Sequence, residues 1–142
     1  MNSKEIERVF HSAPFITRLG LQLDAVSPGE CRTSLMLTEH HLQQDGFVHA
    51  GVQARVADHT AGAAAASLVP EGQSVLSAEF KINLLRAATG NELRCIARVL
   101  KAGNTLTVVE SEVYCGIADT LRLVSKATVT LALVSIRRGN PV

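Results

Sequence analysis

The chain has 142 residues, of which 46% are hydrophobic, and this length and composition suit one globular domain with its own core. Fourteen basic and thirteen acidic side chains leave a formal net charge of +1, which gives no overall attraction to nucleic acid or to an anionic membrane. No segment is apolar over the length that a membrane span requires. We therefore expect one domain over residues 1–142, with neither nucleic acid nor membrane as its partner.

The number and spacing of the cysteines indicate the cellular compartment of the protein. Cys31, Cys95 and Cys115 are odd in number, far apart and without the spacing of metal ligands. Such cysteines are typical of a reducing compartment, where they fill the core. The first residues mix charged and apolar side chains and lack the apolar stretch of a signal peptide. Together these features predict a cytoplasmic protein.

Short elements are expected in the first part of the chain. Residues Ser3 to Phe10 have the periodicity of an amphipathic helix, with Ser3 as its N-cap and Pro14 as the residue that breaks it. Residues 21–37 alternate on both sides of the sequence Ser27-Pro28-Gly29-Glu30, which is typical of a turn. This pattern predicts a β-hairpin.

A long helix and four strands are expected after the hairpin. The polar residues 38–48 predict a loop, and residues His49 to Leu68 are mostly small and apolar, so we expect a helix that other elements enclose. Four stretches that alternate with period two then predict strands separated by turns, at Val75 to Leu85, Leu93 to Lys101, Thr105 to Cys115 and Leu121 to Ile136. These strands are expected to be antiparallel and in meander order.

This order of elements predicts an α+β domain. A hairpin, one enclosed helix and four further strands give a curved antiparallel sheet wrapped around a long central helix, which is the hotdog fold. The chain contains no internal repeat or linker that would divide it.

Asp58 is the residue of the central helix that most needs an explanation. A carboxylate in a closely packed helix is costly unless it is paired, hydrogen-bonded or used in a reaction. One interpretation is structural, because Arg55 lies three residues earlier on the same helical face and can form an ion pair with Asp58. The other interpretation makes Asp58 a catalytic group.

The sequence around Asp58 resembles that of a known enzyme family. The motif Gln43-x-x-Gly46-x-x-His49-Ala50-Gly51, followed seven residues later by Asp58, is similar to the signature of the PaaI-type acyl-CoA thioesterases, which have the hotdog fold. The run from Ser77 to Ala88 also resembles the family's strand after the helix. The chain differs at Ala50, where the family pattern has its first glycine.

The resemblance implies a thioesterase that converts an acyl-CoA into the free acid and coenzyme A, with no metal and no cofactor besides the coenzyme A of the substrate. Asp58 would act as general base or as nucleophile, and the backbone N–H of Ala50 would polarise the thioester carbonyl. Gln43 would bring its amide near the thioester, and Ser77 would orient the water or the acid. The candidate substrate-binding residues are His49, Gly51 and Arg86.

Helix geometry then predicts how the site is assembled. Thioester hydrolysis builds negative charge on the carbonyl oxygen, which the free N–H groups of a helix N-terminus stabilise. Ala50 and Asp58 lie roughly 12 Å apart along one helix, so one thioester cannot contact both. Two such helices packed antiparallel across a two-fold axis would remove the difficulty. We therefore predict a homodimer, or a dimer of dimers, in which Gln43 and Ala50 of one subunit face Asp58 and Ser77 of the other.

The histidines have no catalytic role in this interpretation. His49 is expected to hydrogen-bond the backbone at the start of the helix. His59, about 100° around the helix from Asp58, is expected at the surface or in an interface. His40 and His41 have no carboxylate or cysteine at zinc spacing, so no metal site is expected.

The remaining assignments concern the strand after the helix and the two ends of the substrate. On that strand, Ser77 is expected to share a polar face with Glu79, Lys81 and Asn83. The acyl group is expected to contact small helix residues such as Ala54 and Ala61. The candidates for the phosphates of coenzyme A are basic residues at strand ends and near the C-terminus, namely Arg86, Lys101, Arg137 and Arg138.

Two alternatives remain open. Hotdog folds also include hydratases and dehydratases that act on hydroxyacyl thioesters, and His49 with Asp58 of a partner subunit could form the required pair. A non-catalytic acyl-CoA-binding module is the third candidate, and an Arg55–Asp58 ion pair would favour it.

Overall fold

Six antiparallel strands form one curved sheet, and a long helix packs on its inner face. A computed structural model describes residues 1–135 of the chain. The helices are α1 (Ser3–Ser12), α2 (Pro14–Leu19) and α3 (Ala50–Ala66), with a short 3-10 turn at Glu39–His41. The strands are β1 (Gln22–Ser27), β2 (Glu30–Met36), β3 (Gln73–Leu84), β4 (Glu92–Ala102), β5 (Leu106–Gly116) and β6 (Arg122–Ser135). The predicted α+β class, hotdog architecture and hairpin are confirmed.

The strand order differs from the predicted meander. The sheet runs β1-β2-β4-β5-β6-β3, so β4, β5 and β6 follow one another while β3 pairs with β6 at the far edge. The expectation that all four strands follow one another in the sheet is therefore wrong. The physical reason is α3, which packs across the inner face from β2 to β3, so the chain leaves the sheet beside β4 and returns at the opposite edge.

Small side chains on α3 let the sheet approach it closely. Val56, Ala57, Ala61 and Ala64 are fully buried, as expected for an enclosed helix. Two polar contacts add to this packing. The Oγ1 atoms of Thr33 and Thr60 lie 2.8 Å apart, and the hydroxyl of Ser111 donates to the carbonyl of Ala57 at 2.8 Å. These contacts fix the position of α3 relative to β2 and β5.

The N-terminal segment forms two helices that cover one side of α3. Asn2, not the predicted Ser3, caps α1, because its Oδ1 accepts a hydrogen bond from the N–H of Glu5 at 2.9 Å. Pro14 ends α1 as predicted but also begins α2, since proline is well suited to the first position of a helix. Ile6 and Phe10 of α1 are buried in the core.

The boundaries of the described structure leave some predictions untested. The predicted end of the last strand at Ile136 and the basic pair Arg137 and Arg138 lie outside residues 1–135. Within residues 1–135, no helix is both long enough and apolar enough to cross a membrane. The assignment of residues 1–142 to one domain stays a prediction.

All three cysteines are buried free thiols, as expected. Burial raises the pKa of Cys31 and of Cys95 to about 12 and also raises the pKa of Cys115. We therefore expect a chromogenic disulfide reagent at pH 8 to label the native protein about 100-fold more slowly than the unfolded chain, in which three thiols react. The thiol introduced by Ser27→Cys, at an exposed turn, should react at once. A native thiol that reacts as fast as this control would contradict the burial.

Candidate active site

Both oxygens of the Asp58 carboxylate have a partner in the structure. Oδ1 accepts a hydrogen bond from the hydroxyl of Ser77 at 2.5 Å, and Oδ2 accepts one from Nη1 of Arg55 at 3.2 Å. The Asp58 side chain is only 11% exposed. The cost of burying this charge is thus offset by one neutral and one charged donor.

Ser77 reaches Asp58 because of a β-bulge in β3. Ser77 pairs with the buried Leu131 of β6, whereas Glu79 pairs with Thr130, so Ala78 is an extra residue in the strand. Residues that pair directly share a face of the sheet, so Ser77 faces α3 and Glu79 faces outwards. The expectation that Ser77 shares a polar face with Glu79, Lys81 and Asn83 is wrong, because the bulge breaks the period-two alternation.

The ion pair between Arg55 and Asp58, expected under the structural interpretation, is present. Arg55 is half exposed, and its guanidinium lies 4.9 Å from the centre of the Phe15 ring, over its face. An ion pair with such an exposed partner contributes little to stability. Arg55 therefore interacts with the Asp58 carboxylate on the side that faces solvent, while Ser77 donates a hydrogen bond to it on the side that faces the sheet.

The N-terminus of α3 presents one unused N–H group. His49 caps the helix, as expected: its Nδ1 accepts from the N–H of Gly51 at 2.9 Å, and its carbonyl accepts from Val52 and Gln53. The N–H of Ala50 has no acceptor among residues 1–135, and Ala50 is exposed. A carbonyl oxygen could accept a hydrogen bond from this N–H at the positive end of the helix dipole.

Gly51 leaves the space that the histidine cap needs. A Cβ atom at Gly51 would lie 3.0 Å from Nδ1 of His49, which is too close for an unshifted ring. The methyl group of Ala50, by contrast, is exposed. The replacement of the family's first glycine by Ala50 is therefore compatible with the helix start.

Gln43 shapes the loop that leads to His49. Its Oε1 accepts hydrogen bonds from the N–H groups of Asp45 and Phe47, and its Nε2 lies 3.4 Å from Oδ2 of Asp45. Gly46 closes the turn with φ +83°, a conformation that glycine adopts without strain. This structural role of Gln43 was not recognised from the sequence, although a glutamine two residues before Asp45 and three before Gly46 suits a side-chain-closed turn.

The structure brings the candidate residues together in two groups. Asp58, Ser77 and Arg55 form one group, and Gln43, His49, Ala50 and Gly51 lie along the entry to α3. Ala50 and Asp58 belong to the same straight run of α3, so the two groups are separated by about 12 Å along the helix axis. A single chain does not place both groups against one thioester.

A cavity of about 220 Å³ opens beside Asp58 and Ser77. Its wall includes His59, which was expected at the surface or in an interface but is partly buried, because α1 covers it. The His59 ring lies 4.4 Å from that of Phe10, centre to centre, and its Nε2 lies 3.3 Å from the Phe10 carbonyl oxygen. The apolar face of α1 was visible in the sequence, but its contact with α3 was not.

The expected acyl-contact residues are not those that line the cavity. Ala61 is fully buried against the sheet, and neither Ala54 nor Ala61 reaches this space. The helix instead contributes Gly62, Ala63 and Ala66. These residues could not be identified from the sequence, because α3 carries small side chains on nearly every side. Only the position of α1 determines which of them line the cavity.

Arg86 lies in the loop after β3 and lines a second surface cavity together with Arg122. Neither arginine forms an ion pair with any residue that the structure describes. The same loop is tied to the entry of α3, because Val48 donates its N–H to the carbonyl of Ala88 at 3.0 Å. Lys101, on β4, does not line this cavity.

Comparison with known protein families gives a match that covers most of the candidate site. The model of the thioesterase superfamily matches residues 45–120, which is more than half of the chain. The matched segment contains His49, Ala50, Asp58 and Ser77, and it begins two residues after Gln43.

Individual proteins are similar over larger parts of the chain. A candidate esterase of Halobacterium salinarum is 31% identical in an alignment of 100 residues, which covers 67% of this chain and 66% of that protein. A 1,4-dihydroxy-2-naphthoyl-CoA hydrolase of Listeria monocytogenes is 24% identical over 84% of this chain and 95% of its own length. The crystal structure of a thioesterase family protein from Silicibacter pomeroyi is 33% identical, with a TM-score of 0.91 over 94% of this chain and 98% of that one.

The environment of His59 makes stability depend on pH. Burial lowers the pKa of His59, and the nearby Phe10 carbonyl and Asp58 oppose this shift only in part. A histidine whose pKa is lower in the folded state contributes stability above its unfolded pKa of about 6.5, and this stability is lost as the pH falls through the folded value. We expect the free energy of unfolding, from urea titrations, to fall below pH 6.5 less steeply in His59→Gln than in the wild type.

The exposed His40 provides the control for this measurement. His40→Gln should keep the pH dependence of the wild type. An equal pH dependence in His59→Gln and in the wild type would contradict the assigned role of burial.

Proposed function

The chain belongs to the thioesterase superfamily, and we propose that it hydrolyses an acyl-CoA thioester to the free acid and coenzyme A. Membership of the family supports thioester hydrolysis in general. The similarity to a CoA-thioester hydrolase over most of both chains supports coenzyme A as the leaving group. The observation that carries the proposal is the nearly buried carboxylate of Asp58, which Ser77 holds beside a cavity.

In this reaction Asp58 acts either on water or on the thioester itself. As a general base, it removes a proton from a water molecule whose oxygen attacks the carbonyl carbon, and the C–S bond then breaks as the sulfur takes up a proton. As a nucleophile, its carboxylate attacks the carbonyl carbon, the C–S bond breaks and coenzyme A leaves as a thiolate that takes up a proton. Water then cleaves the resulting anhydride, which releases the free acid and restores the carboxylate of Asp58. The hydroxyl of Ser77 holds Oδ1 in both cases, so the geometry of the carboxylate is fixed before the substrate binds.

The N–H of Ala50 supplies the complementary group. Negative charge develops on the carbonyl oxygen during attack. An unused N–H group at a helix N-terminus can stabilise this charge by donating a hydrogen bond to the oxygen. His49 supports this donor indirectly, because its Nδ1 occupies the neighbouring N–H of Gly51 and fixes the first turn. Gln43 shapes the loop before His49, and its amide nitrogen, only weakly engaged at 3.4 Å, is available to the substrate.

A homodimer brings these two groups together. We propose that two copies of α3 pack antiparallel, so that Ala50 of one subunit faces Asp58 of the other. In support of this arrangement, the beginning of α3 is exposed along Ala50, Gly51 and Arg55, and the neighbouring Phe15 is 60% exposed. Aromatic residues are enriched in interfaces between proteins, so an exposed ring next to this part of α3 supports a partner surface here.

The unequal edges of the sheet also support a homodimer. At one edge, β1 has six residues and an irregularity at Asp24, which are common protections of an edge strand. At the other edge, β3 has 12 residues, and within residues 1–135 no strand pairs with its outer side. It carries the exposed apolar side chains Leu76, Phe80 and Leu84. Such an edge favours pairing with a second copy of β3. The dimer of dimers stays a prediction.

We place the phosphates of coenzyme A near Arg86. The loop that carries Arg86 is hydrogen-bonded to the entry of α3, so a substrate whose carbonyl contacts Ala50 can extend its nucleotide part towards it. Arg122 lines the same cavity, and two arginines without carboxylate partners are suited to bidentate contacts with phosphate. Arg122 is thus an addition to the candidates recognised from the sequence.

Of the two alternatives, the non-catalytic acyl-CoA-binding module is the one that a structural observation favours, because the Arg55–Asp58 ion pair is present. In such a protein the carboxylate would serve only to hold Arg55 and α3 in place. The two candidates differ in one measurable property, which is the release of free coenzyme A.

Asp58→Asn is the variant that separates them. We expect the wild type to release thiol from a panel of aliphatic and aromatic acyl-CoAs, and the variant to lower kcat by about 10²- to 10⁴-fold, because the proton acceptor or nucleophile is lost. The KM should change little. The matched control is Asp24→Asn, since Asp24 also accepts a hydrogen bond from a serine, Ser34 at 2.8 Å, but lies at the opposite edge of the sheet. Turnover by Asp58→Asn at a rate near that of the wild type would remove Asp58 from the mechanism.

Ala50→Pro tests the composite site. Proline removes the N–H but is well tolerated at the first helical position, and His49 already has the extended ψ of 135° that suits a residue before proline. We expect this variant alone to lose about 10²- to 10³-fold in kcat. Equal mixtures of Ala50→Pro and Asp58→Asn subunits, after subunit exchange, should recover about one quarter of the wild-type activity, since half of the dimers contain one intact site.

Recovery in the mixture distinguishes a shared site from a site within one chain. Two defects that lie in the same chain's site give no recovery on mixing. An inactive mixture of folded, exchanged subunits, or a stable monomer with full activity in size-exclusion chromatography, would therefore contradict the dimer proposal.

A further inference from the structure

We propose that the cavity beside Asp58 binds the acyl group, that its size suits a chain of medium length or a single aromatic ring, and that Gly62 of α3 and Val9 of α1 determine this size. This inference rests on the proposed thioesterase function and specifies its substrate class. It concerns a pocket within one subunit, whereas the catalytic groups come from two.

The cavity follows α3 from the catalytic end. Its helix wall consists of Asp58, His59, Gly62, Ala63 and Ala66, whose spacing covers about two turns of one helical face. Asp58 therefore lies at one end of the wall and Ala66 at the other. A substrate whose carbonyl carbon is at Asp58 can extend its acyl chain along this face towards Ala66.

The opposite walls are mostly apolar. They consist of Ile6, Val9 and Phe10 from α1 and of Val75, Leu76 and Leu131 from the sheet, together with Met1, Ser74 and Ser77. The ionisable groups of the lining residues are the side chains of Asp58 and His59 and the α-amino group of Met1, which donates to the carbonyls of Ala66 and Val69 at 3.4 and 3.0 Å. Burial lowers the pKa of His59, which favours its neutral form. The rest of the lining is mostly apolar, so an uncharged hydrocarbon group fits the space.

The volume of the cavity limits the size of its occupant. An apolar cavity of about 150 Å³ is enough for one benzene molecule. The cavity here measures about 220 Å³, so it suits a group of roughly eight or nine non-hydrogen atoms by the same measure. That size corresponds to an octanoyl chain or to a ring with a short substituent, and it excludes a palmitoyl chain held entirely inside.

Gly62 is explained better by this cavity than by the helix. Glycine in a helix interior lowers helix stability relative to alanine, and Gly62 does not have a positive φ that would require it. A Cβ atom at Gly62 would have ordinary van der Waals contact, with Leu131 Cδ2 at 3.9 Å. Space for a methyl group exists, so close packing does not require the glycine. Its effect is to leave the middle of the cavity wall without a side chain.

The test compares acyl-chain preferences in variants that fill the cavity from two sides. Gly62→Leu fills it from α3, and Val9→Phe fills it from α1, where the 42% exposure of Val9 makes misfolding less of a concern. Glu7→Phe is the matched control, since Glu7 is exposed on the same helix and does not line the cavity. The measurement is kcat/KM over straight-chain acyl-CoAs from acetyl to palmitoyl, with benzoyl- and phenylacetyl-CoA added.

We expect the wild type to prefer medium-chain or single-ring acyl groups. Gly62→Leu and Val9→Phe should each lower kcat/KM for octanoyl-CoA at least about tenfold relative to acetyl-CoA, since each lost methylene site alters discrimination by about this factor. Glu7→Phe should keep the wild-type profile. An unchanged profile in both filling variants, or a wild type that prefers palmitoyl-CoA, would overturn the proposal.

A binding measurement keeps this inference separate from the proposed function. S-alkyl-CoA thioethers lack the carbonyl group and cannot be hydrolysed. Calorimetry with a series of them therefore measures how the binding affinity depends on chain length, without any contribution from hydrolysis. If no acyl-CoA is hydrolysed but octyl-CoA binds more tightly than ethyl-CoA, and Gly62→Leu abolishes this difference, the proposed hydrolysis fails and the pocket stands. If hydrolysis occurs but the affinity for S-alkyl-CoA does not depend on chain length, the pocket fails and the hydrolysis stands.

Discussion

The compensation of one buried carboxylate is the constraint on which the rest of this structure depends. Asp58 lies on a helix that the sheet encloses, so its charge must be matched by donors from neighbouring elements. The sheet supplies Ser77, and it can do so only because the bulge at Ala78 turns that side chain inwards. Arg55 completes the set from the solvent side and is itself positioned over the ring of Phe15. A local irregularity of β3 and the packing of α2 thus serve the same carboxylate.

The small side chains of α3 give the helix two different surfaces. Towards the sheet, Val56, Ala57 and Ala61 allow close packing and are completely buried. Towards α1, Gly62 and Ala66 line the cavity that remains between the two helices and the sheet. The charge of Asp58 lies between these two surfaces, where it is shielded from bulk water and still reachable from the cavity. One alanine-rich sequence therefore provides both the rigid support and the open space.

The sequence was sufficient for features that depend on local patterns. Alternation located the strands to within two residues for those that the structure describes to their ends, and the composition of residues 49–68 identified the enclosed helix. Features that depend on contacts between distant segments were not accessible. The position of β3 beside β6 follows from the path of α3 across the sheet, and the bulge at Ala78 has no signature in residues that alternate before and after it. The partial burial of His59 likewise depends on α1, which lies about 50 positions away.

Because of the position of α1, substitutions that alter the cavity can be separate from substitutions that alter the candidate catalytic groups. Its ten residues line the cavity through Ile6, Val9 and Phe10, but none of them hydrogen-bonds the carboxylate of Asp58 or the N-terminus of α3. Substitutions in this segment can therefore alter what the cavity admits while the reacting groups keep their geometry. Because this helix packs against α3 without taking part in the sheet, sequences related to this one could diverge in what the cavity admits by changes in α1 alone.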